Sequence, residues 1–286
     1  MKTEHALSNM KTNPSLDKLK TKHIDGWEIV EHAAPRISAP ILIEGMPGIG
    51  NVGKISMDIL VEETKAVLIK SFYSNNLPNT VFVNENNLID LPKISLYYKK
   101  VNGQDYLFLT GDVQPVNEQA SFTFSEIIVN IFKEYNGKHI VTLGGIGLNN
   151  IPETPKVYIT GNDKKFVEDI SDVFRKKKLT LEPKIYGLVG PIIGISGLLL
   201  GIAKKHDVKA YCLLSETLGH PVYVGLKGSM ALLTILVKQY SLNVKLEKLN
   251  KEIKQIDLQS GVSPQNVPLD KDSVKYKKYS DVNYIG

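Results

Sequence analysis

The chain has 286 residues, of which 42% are hydrophobic and 23% are charged, with a formal net charge of +5. This composition is typical of an ordinary globular domain and excludes a fibrous or fully disordered chain. No apolar run approaches the roughly 20 residues that span a bilayer, and no signal peptide is recognisable, so we expect no membrane contact. The single cysteine, Cys212, excludes an internal disulfide and fits a reducing cytoplasm, which is the localisation we expect.

Both ends of the chain are polar and rich in lysine, whereas the middle is close to neutral. A nucleic-acid-binding surface would show a concentrated basic patch, so we expect no nucleic-acid partner. Segments this polar cannot bury enough apolar surface to fold alone. The sequence therefore predicts a disordered arm over residues 1–24, a single α/β domain over residues 25–259 and a flexible tail over residues 260–286.

Between the two ends, short apolar runs alternate with segments of helical periodicity. This alternation predicts a mainly parallel sheet covered by helices on both faces, a three-layer α/β/α sandwich. Asn102 and Gly103 form a strong hairpin signal and add an antiparallel element. In chain order, we expect strands at 40–44, 66–73, 80–83, 94–100, 106–110, 139–143, 157–160 and 210–214, and helices at 52–63, 117–135, from 163, at 196–205 and at 225–240.

The segment Ile41–Lys54 indicates a buried strand, a glycine-rich turn and the start of a helix. The N-terminus of a helix presents unpaired backbone N–H groups and the positive end of the helix dipole, so it favours anions. The turn is therefore a candidate ligand pocket. Its candidate residues are Glu44, Gly45, Gly48, Gly50, Asn51 and Gly53.

Two phosphate-binding motifs nearly fit this turn. The glycines at 48, 50 and 53 have the dinucleotide spacing, but Leu68–Tyr73 lacks the acidic residue expected about 20 residues further on. The stretch also approaches a P-loop, but Ile55 stands where a Ser or Thr would bind magnesium. We therefore expect no NAD, FAD or other cofactor. Three interpretations stay open: glycines that only allow a sharp strand-to-helix turn, a pocket for another ligand, and a nucleotide site.

Polar residues also follow other predicted strands. In open parallel sheets, ligands bind beyond the carboxyl ends of the strands. If these strands are neighbours, carboxylates at their ends would converge for acid–base chemistry or for a hard metal ion. The alternative is that such side chains cap turns and helix starts. With Glu44, the candidates are Asp112, Gly144, Gly145, Gly147 and Glu216.

Other motifs for catalysis or metal binding are missing from the sequence. There is no His-x-x-x-His or Cys-x-x-Cys pair, so we expect no zinc site. Cys212 lies in an apolar strand and is expected in the core. Ser196 lacks the last glycine of a nucleophile elbow, so we interpret it as a helix N-cap. We therefore assign no catalytic residue and no metal ligand.

Taken together, a series of short blocks resembles the proteasome assembly chaperone 2 family, and the arrangement is similar to its archaeal branch. The match begins with Glu44–Lys54 and covers roughly residues 37 to 246. Each block is unspecific alone, but their order is specific. The further blocks are Leu91–Ile94, Leu109–Pro115, Thr142–Gly147, Gly190–Gly194, Gly197–Gly201 and Leu214–Pro221.

The resemblance implies an α/β/α sandwich similar to the nucleoside phosphorylases, without an established activity. It also implies homo-oligomers that bind the α-ring of the 20S proteasome, so the α-subunits are the expected partner. Some relatives carry ligase-like labels. The alternative is therefore a phosphorylase-like or carboxylate-amine-ligase-like enzyme, acting on a small anionic substrate at Gly48–Gly53 with Asp112 and Glu216.

The resemblance also implies a role for the tail, because archaeal members often end in a hydrophobic–tyrosine–any tripeptide. This chain departs from that pattern, since it ends Asn283–Gly286 with the tyrosine one place early. Tyrosine nevertheless offers large contact area at low entropic cost. We therefore expect a partner-binding tail, with a solvated end as the alternative. Its tyrosines are Tyr276, Tyr279 and Tyr284.

Two predicted helices, at 196–205 and 225–240, carry more apolar residues than one sheet face needs. Excess apolar helix surface commonly marks a subunit contact. The sequence therefore predicts a homo-oligomer, and the resembled family suggests a tetramer or a pentamer.

Overall fold

The computed structural model describes residues 20–182, 185–188, 190–247, 250, 251 and 253. Within these ranges the chain alternates strands and helices. The strands are β1 (Lys20–Ile24), β2 (Trp27–Glu31), β3 (Ile41–Glu44), β4 (Val67–Tyr73), β5 (Phe82–Val83), β6 (Ile89–Asp90), β7 (Ile94–Val101), β8 (Gln104–Gly111), β9 (His139–Leu148), β10 (Val157–Gly161) and β11 (Ala210–Leu218). The helices are α1 (Val52–Thr64), α2 (Glu118–Glu134), α3 (Lys164–Lys176), α4 (Ile195–Lys205) and α5 (Leu226–Tyr240).

Nine strands form one mixed sheet in the order β1-β2-β4-β7-β8-β3-β9-β11-β10. The predicted parallel arrangement is found in the centre, where β8, β3, β9 and β11 run parallel. Antiparallel pairs flank this centre on both sides. Two of these antiparallel pairs, β1–β2 and β7–β8, are hairpins, whereas β10 and β11 are separated in the chain by α3 and α4. The predicted Asn102–Gly103 turn joins β7 to β8, with a positive φ at both residues.

Helices cover both faces of the sheet, which gives the three predicted layers. Because side chains alternate along a strand, Leu42 of β3 joins the core beneath α2 and α4, whereas Ile41 and Ile43 join the core beneath α1, α3 and α5. Phe124 of α2 packs against Trp27, with ring centroids 4.6 Å apart. No helix in the described ranges combines the length and apolar character needed to cross a bilayer.

The sequence analysis assigned residues 1–24 to a disordered arm, and this is wrong for the last five of them. Lys20–Ile24 forms β1, which pairs with β2 through a turn at Asp25 and Gly26. Four of its five residues are exposed, so β1 carries no apolar periodicity. Its signal is the Asp–Gly turn itself. Residues 1–19 and the predicted tail at 260–286 lie outside the described residues.

Candidate functional site

The glycine-rich turn leaves the central strand β3 and leads directly into α1. Glu44 is the last residue of β3 and is fully buried. One 3-10 turn, Ile49–Asn51, precedes α1. Gly50 and Asn51 both have a positive φ, 61° and 50°. This left-handed backbone is costless for glycine and tolerated by asparagine, so it explains why these residue types stand here.

Three glycines allow backbone to lie directly against backbone. A Cβ added at Gly45 would lie 2.3 Å from the carbonyl oxygen of Gly53, and one at Gly53 would lie 2.6 Å from that of Leu143. A Cβ at Gly145 would lie 2.4 Å from the carbonyl oxygen of Ile49. The space beside these glycines is therefore filled by the chain itself. This geometry supports the interpretation in which the glycines serve a sharp, closely packed turn.

The glycines that follow residue 143 lie inside a strand, where the sequence analysis expected them to follow one. Strand β9 continues to Leu148 because it stays paired in register with β11. A Cβ at Gly144 would lie 2.8 Å from Cδ2 of Leu214, and one at Gly147 would lie 3.0 Å from Cα of Gly219. Both positions are thus closely packed, whereas Gly48 has open space around it.

Neighbouring elements cover the turn from both sides. On the α5 side, the N–H of Gly225 donates to the carbonyl oxygen of Gly50 at 2.8 Å. On the α4 side, the side-chain amide of Gln114 donates to the carbonyl oxygen of Pro47 at 2.5 Å. The carbonyl oxygen of the same Gln114 side chain accepts from the N–H of Ile195 at 2.9 Å. Gln114 therefore ties the turn to the first residue of α4.

Glu44 is a buried carboxyl group beneath the N-terminus of α4. Its Oε1 accepts hydrogen bonds from the N–H of Met46 and from the hydroxyl of Ser196, both at 3.1 Å. Its Oε2 has no hydrogen-bond partner among the described residues. Burial raises the pKa of Glu44 from 4.5 to about 8, although these two hydrogen bonds oppose the shift. At neutral pH the group is therefore mainly a neutral acid.

Two residues near Glu44 were given roles by the sequence analysis. Ser196 is not the N-cap of α4, because the helix begins one residue earlier, after Gly194. Its hydroxyl is within hydrogen-bonding distance of the carboxyl of Glu44 and the carbonyl oxygen of Leu143. Cys212 is buried as predicted, and burial raises the pKa of its thiol to about 12. A thiol held in this neutral form is a poor nucleophile.

The other two candidate carboxylates, Asp112 and Glu216, have hydrogen-bond partners that differ from those of Glu44 and from each other. Asp112 is exposed, and its Oδ2 accepts from the N–H of Lys93 at 3.2 Å. Glu216 lies within β11, where its two oxygens accept from the N–H of Lys156 and the hydroxyl of Tyr158, both at 3.0 Å. Burial and the bond to Glu216 raise the pKa of Tyr158 to about 12. Both carboxylates thus accept hydrogen bonds from segments distant in the sequence, which differs from the local capping that the sequence analysis named as the alternative.

Within the described ranges, no three His, Cys, Asp or Glu side chains are grouped so that they could hold a metal ion. Two sizeable cavities lie elsewhere. One of about 520 Å³ separates β1 from α2, and one of about 800 Å³ lies beside the foot of the β5–β6 hairpin. The predicted tyrosines of the tail lie outside the described residues.

Exposed apolar side chains lie in loops at the same edge of the sheet as the turn, and the sequence analysis missed them. The loops that follow parallel strands meet at one edge of a sheet. Each such loop here carries an exposed Ile or Val, and a further one stands just before α4; the exposed fractions range from 41% to 84%. The available signal was an Ile or Val beside a glycine, a proline or an asparagine in each of these loops. We name these five residues the apolar rim: Ile49, Val116, Ile151, Ile193 and Val222.

Substitution of Gly145 tests whether the glycines serve packing. Gly145→Ala should lower the free energy of unfolding by about 1–3 kcal/mol, because the new Cβ overlaps the backbone of Ile49. Gly48→Ala, in open space, should change it by less than about 0.5 kcal/mol. Urea unfolding followed by circular dichroism measures both. Equal effects of the two substitutions would contradict the packing interpretation.

Substitution of Glu44 tests its protonation. Since its folded pKa is about 8 against an ordinary 4.5, the folded chain holds one proton more than the unfolded chain between these values. Stability should therefore fall as pH rises from about 5 to 8, by up to ~1.4 kcal/mol per pH unit. Glu44→Gln has no such proton to lose, so it should gain stability relative to the wild type over this range.

Urea unfolding at several pH values between 5 and 9 measures this difference. The exposed substitution Glu134→Gln serves as the control and should follow the wild type. A constant difference between the wild type and Glu44→Gln across the series would show that Glu44 does not titrate in this way.

Comparison with known proteins gives related sequences of similar length. Two uncharacterized proteins of Methanocaldococcus jannaschii match, one with 26% identity over 243 residues and the other with 28% over 234. The alignments cover 84% and 82% of this chain, and 86% and 89% of the relatives.

Solved structures from Pyrococcus furiosus share the fold. PbaB, described as an archaeal proteasome activator, has 29% identity and a TM-score of 0.73, and the match covers 82% of this chain and 97% of PbaB. PbaA, described as an archaeal homolog of proteasome-assembly chaperone, has 27% identity and a TM-score of 0.64, with 82% and 94% covered. The sequence model of the PAC2 family matches residues 42–260, which confirms the predicted resemblance. The chain therefore belongs to the PAC2 family.

Proposed function

We propose that this chain is a non-catalytic, proteasome-assembly-chaperone-like protein that binds proteasome subunits through protein–protein contacts. Family membership and the likeness to PbaB and PbaA support this role. The α-subunits of the 20S proteasome are the partner that we propose, in the cytoplasm. The likeness to nucleoside phosphorylases stays a prediction.

The apolar rim is the observation that carries the proposal. Its five side chains lie on separate loops, all at the carboxyl edge of the central strands, and Ile193 and Val222 are exposed by 84% and 77%. Exposed apolar groups gathered at one place mark protein–protein contact sites. The turn at their centre is closely packed by its own backbone. This edge of the sheet is therefore better suited to contact a protein surface than to enclose a small substrate.

The tail provides a second proposed contact. It carries three spaced tyrosines, Tyr276, Tyr279 and Tyr284, with lysines at 275, 277 and 278. Tyrosine supplies contact area, and lysine supplies attraction to acidic surfaces. In a homo-oligomer, several tails would bind together, so that weak single contacts gain strength through multivalency.

A pull-down with 20S proteasome and with free α-subunits tests both contacts. The baits are the full chain, the double variant Ile193→Asp/Val222→Asp, a version that ends before Lys275, and a control. Val173→Asp is the control, because this residue is 37% exposed on α3, away from the rim. We expect the full chain and the control to bind, the rim variant to lose at least tenfold in affinity, and the truncated chain to bind more weakly.

The outcomes separate the two contacts. Unchanged binding by the rim variant would exclude the rim, and unchanged binding by the truncated chain would exclude the tail. No binding by the full chain to either form of the α-subunits would contradict the proposed function.

A further inference from the structure

Strand β1 forms one edge of the main sheet. It pairs with β2 on one side and, among the described residues, with no strand on the other side. Four of its five residues are exposed. Within the described chain, the outer N–H and C=O groups of β1 are therefore open to a further strand.

A groove runs between this open edge and helix α2. It is the cavity of about 520 Å³, and Lys20, Thr21, Lys22 and Ile24 of β1 line it. Successive side chains of a strand point to opposite faces of the sheet. Because the neighbours Thr21 and Lys22 both line the cavity, the groove lies against the backbone edge of β1 as well as against one face of the strand.

The opposite wall of the groove is one side of α2. This wall extends from Phe122 to Glu134, a length of about 18 Å along the helix axis. The five residues of β1 span about 17 Å. The groove therefore has the length of an extended segment of five residues.

One end of the groove is apolar. Ile24 and Phe122 line the cavity, and Phe122 is 53% exposed. Ile24 pairs with Trp27, whose ring lies 4.6 Å from that of Phe124 in the same half of α2. Ile24 and Phe122 are therefore at the same end, where an incoming apolar side chain would contact both.

The middle of the groove carries a positive charge. Lys22 lies on the same face of β1 as Ile24, since the two are separated by one residue. Within the described chain Lys22 forms no ion pair. Two nearby carboxylates are already paired, because Lys70 binds Glu31 at 2.6 Å and Lys205 binds Glu126 at 2.7 Å.

The remaining charged residues of the groove lie at its ends. Asp25 belongs to the turn that follows Ile24. At the other end, Lys20 of β1 and Glu134 in the last turn of α2 both line the cavity, so their opposite charges offset each other. Lys22 is therefore the position at which a charge on an incoming segment is selected most strongly.

We propose that this groove binds an extended acidic segment of a partner protein, which adds to β1 as an antiparallel strand. Strand addition takes its affinity from main-chain hydrogen bonds and its specificity from alternate side chains. The segment places an apolar residue opposite Ile24, an acidic residue opposite Lys22 and an uncharged polar residue opposite Lys20. Opposite charges directly across a strand pair stabilise the pair, and like charges destabilise it.

The groove differs from the helix surfaces that the sequence analysis expected at a subunit contact. None of the large hydrophobic side chains exposed in the described chain lies on α4 or α5, whereas Phe122 lies on α2. Leu199 of α4 and Leu233 of α5 are buried in opposite cores. The groove includes neither the apolar rim nor the tail, so the inference is independent of the proposed function.

Fluorescence anisotropy of the full chain with labelled five-residue peptides tests the contact. The probe Val-Thr-Glu-Thr-Thr follows the proposed pattern in antiparallel order and should bind saturably. The probe Val-Thr-Lys-Thr-Thr should bind about fivefold more weakly, because a lysine then faces Lys22. The variant Lys22→Glu should reverse this preference. Lys204→Glu is the matched control, since this lysine is exposed on α4 outside the groove, and it should keep the wild-type preference.

Hydrogen exchange followed by mass spectrometry locates the bound probe. The acidic probe should slow exchange in residues 20–24, because the added strand accepts hydrogen bonds from the outer N–H groups of β1. Strand β10, at the other edge of the sheet, should exchange as before. The same probe with every backbone nitrogen methylated keeps its side chains but cannot donate to the ladder, and it should bind at least tenfold more weakly.

Three results would overturn the proposal. No binding of the acidic probe would assign the lysines of β1 to the opposite role, in which charged side chains keep other strands away from a sheet edge. Equal binding of the acidic and basic probes by both the wild type and Lys22→Glu would exclude the charge contact. Protection from exchange outside β1 and α2, with none in residues 20–24, would place the probe elsewhere.

Discussion

Direct contact between the backbone of the Gly45–Gly53 turn and the backbone of β9 is the constraint on which the centre of this molecule depends. The carbonyl oxygen of Ile49 fills the place of a side chain at Gly145, and that of Leu143 does so at Gly53. No residue larger than glycine permits this approach without a shift of the backbone. The approach sets where α1 begins and lets the N-termini of α4 and α5 cover the turn.

The same close packing of the backbone explains why the pKa of Glu44 is raised. Because backbone and helices surround the end of β3, water is excluded from the carboxyl group, and ionisation there is costly. The hydroxyl of Ser196 and the N–H of Met46 offset only part of that cost. In a catalytic site, a raised pKa would indicate an acid ready to give its proton to a substrate. Here the carboxyl group is fully buried, and its hydrogen bonds come from Met46 of the turn and Ser196 of α4.

The sequence was most informative where local chemistry decides the structure. The Asn102–Gly103 pair favours a tight turn by itself, and the structure has a hairpin there. The uninterrupted apolar run of β3 indicated a strand covered on both faces. The sequence was least informative where contacts between segments distant in the chain determine the structure. Strand β9 extends through three glycines only because β11 lies beside it, and Glu216 points to a partner 58 residues earlier in the chain, Tyr158. Contacts of this kind produce no periodic sequence pattern in either segment.

The same distinction applies to the candidate site. A motif can show that a turn is tight, but whether the tight turn encloses a ligand or its own backbone depends on how closely the next strand approaches. At Gly48 the space is open, and at Gly45, Gly53 and Gly145 it is filled, although all four occupy conspicuous positions in the sequence. The apolar rim is the opposite case, a feature that no motif indicates. Its Ile and Val residues lie in separate loops, and they can be recognised as one group only when the parallel sheet places these loops at the same edge. The proposed protein contact rests on this combination of a closed central turn and exposed apolar groups at the same edge. That organisation is consistent with a family whose solved relatives include a proteasome activator and a homolog of a proteasome-assembly chaperone.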